Sequence, residues 1–437
     1  MTVDILVVVT AHNYARFLPE CLDSVLAQEG NVDWKVVVVD DGSRDATPDV
    51  LADYKARDRR ITSIRLEGVG LASAANAGIR STESSWVLRL DADDWLHPAC
   101  LRTLLGAVSE QGVDLVYPDF YLTDDVGQVI ARENRGENLN GPGHERSPLA
   151  ACCLYRRSSW EFLGGYNREL RYQEDFDFWL KFIEHFSWAH VSKPLFYYRQ
   201  HGISMSTNKK PRAVTRRQVK HEAVIRQGKT LKAGGVPVFI STLSSLAMRV
   251  APGTALLEFG GITLLDRALE KVNRCPACGD IMIITADDDV TQWANLKGLD
   301  VIMSPRHFSE ERDIFTGAVE HVGSKGLCLL VSPYYPLIEP ERLQEVLDTA
   351  LLFDCGKVDT VFNEAHELLV MSDQGVVPAL AETLECSPVV YQQAGGLRAL
   401  CSEAVQTRGV VEILAPENYS VSGEIAYAQI EQLLDVK

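Results

Sequence analysis

Trp34–Ser43 reads WKVVVVDDGS. Four consecutive valines make a short, fully apolar, β-branched run, which predicts a buried strand. The run stops abruptly at two acids, a glycine and a serine. The flanking sequence repeats the design. Upstream, VDILVVVT (3–10) is a second apolar strand. It is followed by Phe17, Leu18, Cys21, Leu22, Val25 and Leu26 at helical spacing. Downstream come a helix at about 45–57, the short strand ITSIRL, the small-residue helix LASAANAGIR and the strand SWVLRLDADD. Strand and helix alternate, which predicts a parallel α/β sheet. Such sheets bind ligands beyond the carboxyl ends of their strands. The polar clusters Thr10-Ala-His-Asn13, Asp40-Asp41-Gly42-Ser43 and Asp91-Ala-Asp93-Asp94 fall there.

Strand-end acids constrain the chemistry. A nucleoside diphosphate is itself anionic, so carboxylates beside it require a cation between them. Asp91-x-Asp93 places two carboxylates on one side of an extended segment. Hard oxygen ligands at that spacing suit Mg²⁺ or Mn²⁺, which would neutralise charge on a departing nucleotide.

The segments VVVTAHNYARFLPECLDSVLAQ, VVVVDDGSRDAT, GLASAANAGIR, LRLDADDW and YQEDFDFWLK, in this order, resemble the family 2 glycosyltransferases of GT-A fold. The resemblance spans about residues 3–206. It implies that Thr10, Ala11, Asn13 and Asp41 hold the nucleotide base, and that Asp91 and Asp93 hold ribose, diphosphate and metal. Asn76 and Arg199 join the implied donor-binding set. Proline is common in the family where Ala11 stands. The pair Glu174-Asp175 matches the catalytic pair, with Asp175 the general base that takes the acceptor proton. Asp175 also opens a helix, where acids are favoured by the dipole alone, and Asp177 is a competing candidate. The cluster Tyr198-Arg199-Gln-His201-Gly-Ile-Ser204-Met-Ser206 implies a histidine, His201, on the diphosphate or metal. Gly164-Gly165-Tyr166 matches the loop before the base helix and implies an acceptor wall.

The pattern restarts after KAGGVP. VPVFIS (236–241) is a new strand, followed by a helix at about 263–273 and the strands DIMIITA, LCLLVS and VDTVF. The run LLEFGGITLLDRALEKV, with Arg249-x-x-Pro252-Gly253, GLDVIMSPRH and YYPLIEPERLQEVL, resembles cytidylyltransferases that activate 3-deoxy-octulosonic or nonulosonic acids. This chain departs from that family at its chemistry. Thr254 replaces the lysine expected on the triphosphate, and Tyr334 and Tyr335 replace a metal-binding aspartate and a glutamate. The Ser-Gly-Thr-Asp-Arg segment reads Ser309-Glu-Glu-Arg312-Asp313. Asp287–Asp289 are either a substitute metal site or a solvated loop. The expected fold is therefore α/β with two Rossmann-like domains. Residues 1–230 form a GT-A glycosyltransferase, and residues 231–437 a nucleotidyltransferase-like domain without activity.

Length and composition agree: 437 residues suit two or three domains, and the apolar fraction suits buried cores. Charge is uneven. Residues 1–230 carry 29 basic and 31 acidic residues, whereas the remainder carries 14 and 29. A pI near 5.1 and the lack of a reader motif argue against nucleic acid. Lys209–Lys229 is a basic stretch suited either to anionic lipid or acceptor or to a solvated helix. The apolar run at the start is too short for a signal segment or a membrane span, so a cytoplasmic location is expected, with peripheral contact at the inner membrane face left open. The ten cysteines read as reduced thiols, and Cys275-Pro-Ala-Cys278 as a turn, since no second ligand pair follows it. The expected partners are a nucleoside-diphosphate sugar, UDP-linked first, and a glycan or lipid-linked acceptor. The C-terminal domain would serve in homo-oligomer formation, acceptor binding or partner docking. The alternatives are a bifunctional glycosyltransferase/cytidylyltransferase and a non-catalytic nucleotide-sugar scaffold.

Overall fold

The computed structural model describes residues 3–134, 152–202, 209–229, 231, 234–243, 253–304, 327–335 and 338–353, and the strand backbones at 357–363, 369–372, 375–378, 391–401 and 410–414. Arg249, Pro252, Ser309–Asp313, Ser204 and Ser206 lie outside the described residues. The chain divides into two compact units, Met1–Ala223 and Val224–Lys437.

In the first unit, β1 (Val3–Ala11), α1 (Leu18–Leu26), β2 (Trp34–Asp41), α2 (Thr47–Arg57), β3 (Ile61–Leu66), α3 (Leu71–Arg80) and β4 (Ser84–Asp91) alternate as expected. Then follow β5 (Trp95–Leu96), α4 (Cys100–Gln111), β6 (Leu115–Thr123), β7 (Val129–Glu133), β8 (Leu154–Arg156), α5 (Arg157–Phe162), α6 (Glu174–Phe182), β9 (Trp188–Arg199) and α7 (Lys209–Arg226). The sheet order is β3-β2-β1-β4-β8-β6-β9-β5, with β7 on β6. β1 to β4 are mutually parallel neighbours, and β8 enters antiparallel to β4. Ile5–Val9 and Val36–Val39 are sealed from water, so the valine runs are the centre of the core. After β1 the chain builds outward through β2 and β3, then returns to the opposite side of β1 as β4. This reversal opens a crevice at the carboxyl ends of β1 and β4, where Thr10 pairs in register with Asp91.

Small residues bring α3 close to the sheet. It begins after Gly70, whose φ of 89° suits glycine. A Cβ on Gly78 would lie 2.6 Å from Val8 and 2.9 Å from Val39. The helix therefore rests directly on β1 and β2, and the loop before it is drawn over the strand ends.

The second unit is also α/β. Its first strand β10 (Val236–Ser241) is parallel to Cys278–Thr285 on one side and Leu327–Val331 on the other, within a seven-stranded sheet. The helix Leu264–Asn273 is capped by Thr263, whose hydroxyl accepts from Asp266 N at 3.0 Å. Cys275-Pro-Ala-Cys278 forms a turn closed by Cys278 N donating to Cys275 O at 3.1 Å. Among the described residues no helix is long and apolar enough to cross a membrane.

Two helix glycines should respond oppositely to alanine. Gly78→Ala drives a methyl group into two buried valines and should cost about 1–3 kcal/mol. Gly106, in α4, has nothing within 4 Å of an added Cβ, so Gly106→Ala should stabilise by about 0.5–1 kcal/mol. Denaturant unfolding of both variants measures this. Equal effects would contradict the close packing of α3.

Candidate active site

The crevice is a cavity of about 590 Å³ at the carboxyl edge of the first unit. One wall carries Thr10, Ala11, His12 and Tyr14; another carries Asp41 and the loop Gly68–Gly70. Asp91 and Asp93 also line the cavity, as do Arg168, Glu169 and Arg171 of the loop before α6. Five of the expected residues are thus brought together: Thr10, Ala11, Asp41, Asp91 and Asp93.

The strand-end acids also shape the loops. Asp41 accepts from Val69 N at 2.7 Å and from Gly70 N at 2.8 Å, one bond to each carboxylate oxygen. It therefore ties β2 to the start of α3 and keeps a lone pair on each oxygen. His12 Nδ1 lies 2.6 Å from Asp41 O, which makes Nδ1 the protonated nitrogen of the neutral ring. Asp40, beside it, is buried and pairs with Arg65, and also accepts from Ser43 N.

Asp91, Asp93 and Asp94 are crowded into one turn. Burial and the negative charge of Asp91 push the Asp93 carboxyl above the ordinary carboxylate range, while a hydrogen bond to His201 pulls the other way. The His201 Nε2 lies 2.8 Å from Asp93 Oδ2, and the ring stacks on Phe17 at 5.0 Å. Its Nδ1 is buried without a hydrogen-bond partner. Asp94 is sealed, its carboxyl pushed well up by burial and then by Asp93. The same acids, after burial, raise the Tyr14 phenol, so it remains a neutral donor.

Three residues expected to bind the donor have side chains engaged with the protein itself. Arg199 is buried between Phe17 and Trp95, with its guanidinium 4.9 and 4.5 Å from the two rings. It pairs with Glu20, donates through Nε to Asp93 O at 2.9 Å, and its backbone N donates to Asp94 Oδ1 at 2.9 Å. All of this braces the Asp91–Asp94 turn from behind, so the side chain is unavailable to a ligand. Asn76 is buried and clamps the loop before α6, donating to Tyr166 O at 2.8 Å and accepting from Tyr166 N at 2.9 Å. An added Cβ on the neighbouring Gly165 would lie 2.6 Å from Asn76 Oδ1, so glycine is required there. Asn13, at φ 61°, spends its side chain on Arg44 N at 2.7 Å. These amides serve backbone, and the loops they hold form the pocket.

At the start of α6, the three acids have different surroundings. Glu174 is buried and bonded to Arg89 Nη1 at 2.9 Å. Asp177 is buried and pairs with Lys181 at 2.6 Å. Asp175 is half-buried, and among the described residues no hydrogen bond or ion pair holds its carboxylate. Burial, opposed by Arg89, moves the Glu174 carboxyl from 4.5 to about 7.

Among the described residues, the matching positions of the second unit are occupied differently. Gly253 N donates to Asp287 Oδ2 at 2.8 Å, and Asp287 Oδ1 accepts from Asp289 N at 3.0 Å, capping the following helix. Tyr334 and Tyr335 are buried in the apolar core of this unit. The Tyr334 hydroxyl donates to Thr242 O at 2.7 Å. Burial, then Asp287, raises its phenol, which stays neutral.

The family model for glycosyl transferase family 2 matches residues 6–164, and that for cytidylyltransferase matches residues 251–375. The first unit carries a family 2 glycosyltransferase domain. It is joined to a cytidylyltransferase-family domain, and both are α/β. Glycosyltransferase GlyA of Streptococcus pneumoniae is 34% identical over 118 residues, covering 27% of this chain and 17% of that protein. The chondroitin synthase of Escherichia coli is 26% identical over 208 residues, covering 46% and 29%. The chain thus matches less than a third of the length of either relative. Staphylococcus aureus TarS 1-349, solved with UDP-GlcNAc, is 20% identical at a TM-score of 0.45, covering 51% of this chain and 66% of that one.

Sequence reasoning missed Tyr14, Arg168 and Arg171 as pocket walls. Tyr14 follows directly on the recognised segment Thr10–Asn13. The two arginines follow no periodicity and lie in a loop whose start is held by the Asn76 clamp on Tyr166 and by the turn at Asn167.

Glu174 supplies a pH test of this geometry. Its folded value lies above that of an unfolded glutamate. The stabilisation it contributes is complete below about pH 4.5 and is lost as pH rises through about 7. Replacement by Gln removes that titration. The wild-type chain should therefore lose about 1–3 kcal/mol more stability than Glu174→Gln between about pH 5 and about pH 8. Parallel unfolding curves across that range would contradict the burial of a titrating Glu174.

Proposed function

We propose that residues 1–230 form a metal-dependent inverting glycosyltransferase that moves a sugar from a nucleoside-diphosphate donor to a glycan or lipid-linked acceptor. The observation that carries this reading is the meeting of Thr10, Ala11, Asp41, Asp91 and Asp93 in one cavity at the sheet's switch point, with His201 on Asp93. The glycosyl transferase family 2 match to this unit supports it.

The site suits a divalent cation. Asp91 and Asp93 are hard anionic donors, their turn is crowded with buried negative charge, and His201 brings an imidazole to the same carboxylate. Among the described residues no three such side chains converge into a closed cage. An open set of this kind suits Mg²⁺ or Mn²⁺ that takes further ligands from a diphosphate. When bound, the ion would neutralise charge on the departing nucleoside diphosphate.

The chain's own residues supply the rest. Asp41 retains acceptor capacity beside Gly68–Gly70 and suits the N3–H of uracil, which makes a UDP-sugar our preferred donor. Arg168 and Arg171 bring positive charge to the same cavity. Asp175, at the start of α6, takes the proton from the acceptor hydroxyl as that oxygen attacks the anomeric carbon. Direct displacement at that carbon inverts its configuration.

In this reading residues 231–437 keep a nucleotidyltransferase skeleton without its reaction. Tyr334, hydrogen-bonded to a backbone carbonyl inside an apolar core, offers no anionic oxygen to a metal. The domain would instead serve assembly, acceptor binding or partner docking. We place the enzyme in the cytoplasm, with any membrane contact peripheral.

Two substitutions test the assignment, read as UDP release from a panel of UDP-sugars in the presence of Mn²⁺. Asp93→Asn should abolish turnover by weakening the metal site. Asp175→Asn should keep donor binding and lose at least about 10²-fold in rate. Turnover that survives chelation of all divalent metal would refute the metal-dependent reading. A loss confined to Asp177→Asn would move the base by two residues. The full chain should release no pyrophosphate from CTP with any sugar acid, and release at an enzymatic rate would restore the bifunctional alternative.

A further inference from the structure

We propose that Arg89 is a positioning residue that ties the donor-binding end of β4 to the base-bearing start of α6. The inference rests on the reading of Asp175 as the base. It begins from strand geometry. Arg89 and Asp91 are two residues apart in β4, so their side chains leave the same face of the sheet. The Arg89 guanidinium reaches Asp91 Oδ1 with Nη2 at 3.4 Å and Glu174 Oε1 with Nη1 at 2.9 Å. Asp91 lines the pocket, and Glu174 is the residue before Asp175. One cation thus joins two elements that are 85 positions apart in sequence.

The surroundings fix this link. The side chains of Arg89 and Glu174 are only 7% and 6% exposed. The guanidinium sits 5.5 Å from the ring of Tyr166, whose backbone is clamped by Asn76. The Arg89 carbonyl accepts from Cys152 N at 2.9 Å, holding the strand itself in place. Arg216 adds a further attachment at the start of α6, donating to Gln173 Oε1 at 2.8 Å and lying 3.8 Å from the Phe176 ring.

Stability alone does not account for a charge here. Burying an ion pair costs desolvation of both groups, and apolar residues of similar size commonly serve stability as well or better. The Arg89 Nε is also buried without a partner, a further cost. What the pair supplies is a fixed distance between the donor's acids and the acceptor's base. Transfer depends on that distance, because displacement of a reacting group by about 1 Å can cost about 10²-fold in rate. Nucleotide binding depends on it less, since Asp41 and the loop Gly68–Gly70 are held separately.

The test compares the full-length wild type with Asp175→Asn, Arg89→Lys and the double variant Arg89→Met/Glu174→Met. The double variant removes both buried charges, and the one carboxylate that also loses its Arg89 contact, Asp91, is 29% exposed, so no sealed charge is left stranded. UDP affinity with Mn²⁺ is measured by calorimetry, and kcat by UDP release from UDP-sugars. In the double variant the UDP Kd should stay within about threefold while kcat falls about 10²-fold, and Arg89→Lys should recover part of that loss. If Asp175→Asn is impaired but the double variant keeps its kcat, the positioning role is overturned and the base assignment stands. If Asp175→Asn is fully active, the base reading falls and the proposal falls with it. A double variant that loses UDP affinity in step with kcat would make Arg89 part of the fold of the donor site and overturn the proposal.

Discussion

Three aspartates within four positions, packed into one turn at the end of β4, are the constraint on which the first unit depends. Such a turn repels itself, and burial makes the repulsion worse. Each acid has a separate answer. Arg89 faces Asp91, His201 faces Asp93, and the backbone N–H of Arg199 faces Asp94. These partners come from β4 itself, from the end of β9 and from the residue pair just beyond it. The turn is therefore held from the strand β9, which lies beside β5. The aromatic pair around Arg199 and its ion pair with Glu20 lock that strand to α1. Compensation remains incomplete, and the surplus negative charge faces the cavity, where a cation would relieve it.

The parallel core was legible because valine runs ending in acids admit few alternatives. The same applies to Asp41, Asp91 and Asp93, since a strand that ends in an acid at a switch point leaves that acid at the crevice. Asn13, Asn76 and Arg199 were harder to place. Each lies in a recognisable segment, yet a polar side chain next to a loop can bind either ligand or backbone, and local sequence does not distinguish the two. Asn76 satisfies both backbone groups of Tyr166, 90 positions away. Arg199 reaches Glu20 across 179 positions. Pairings at that separation depend on the whole topology. Arg168 and Arg171 were illegible for the same reason, because their loop is held at its start by the Asn76 clamp on Tyr166.

The two units show how a shared architecture separates from its chemistry. Both place strand ends and a glycine-containing turn at one edge of an α/β sheet. In the first, the acids at that edge border an open cavity. In the second, Asp287 is occupied by Gly253 N and a helix cap, and Tyr334 is bonded to Thr242 O within the core. A phenol that points into apolar packing helps hold the unit together. Its hydroxyl satisfies a carbonyl that would otherwise lie beside the sheet's end. The sequence departures at Tyr334 and Tyr335 thus have structural roles of their own.

The central claim is that nucleotide and metal meet at Asp93 in the first unit and nowhere in the second. Its most direct test is a crystal structure of the full chain grown with UDP and Mn²⁺, with anomalous diffraction recorded at the manganese edge. The account predicts a manganese peak beside the Asp93 carboxylate and His201, the uracil beside Asp41, and no nucleotide near Tyr334. UDP bound at Gly253 and Asp287, or bound in the first unit with no manganese beside Asp93, would contradict it.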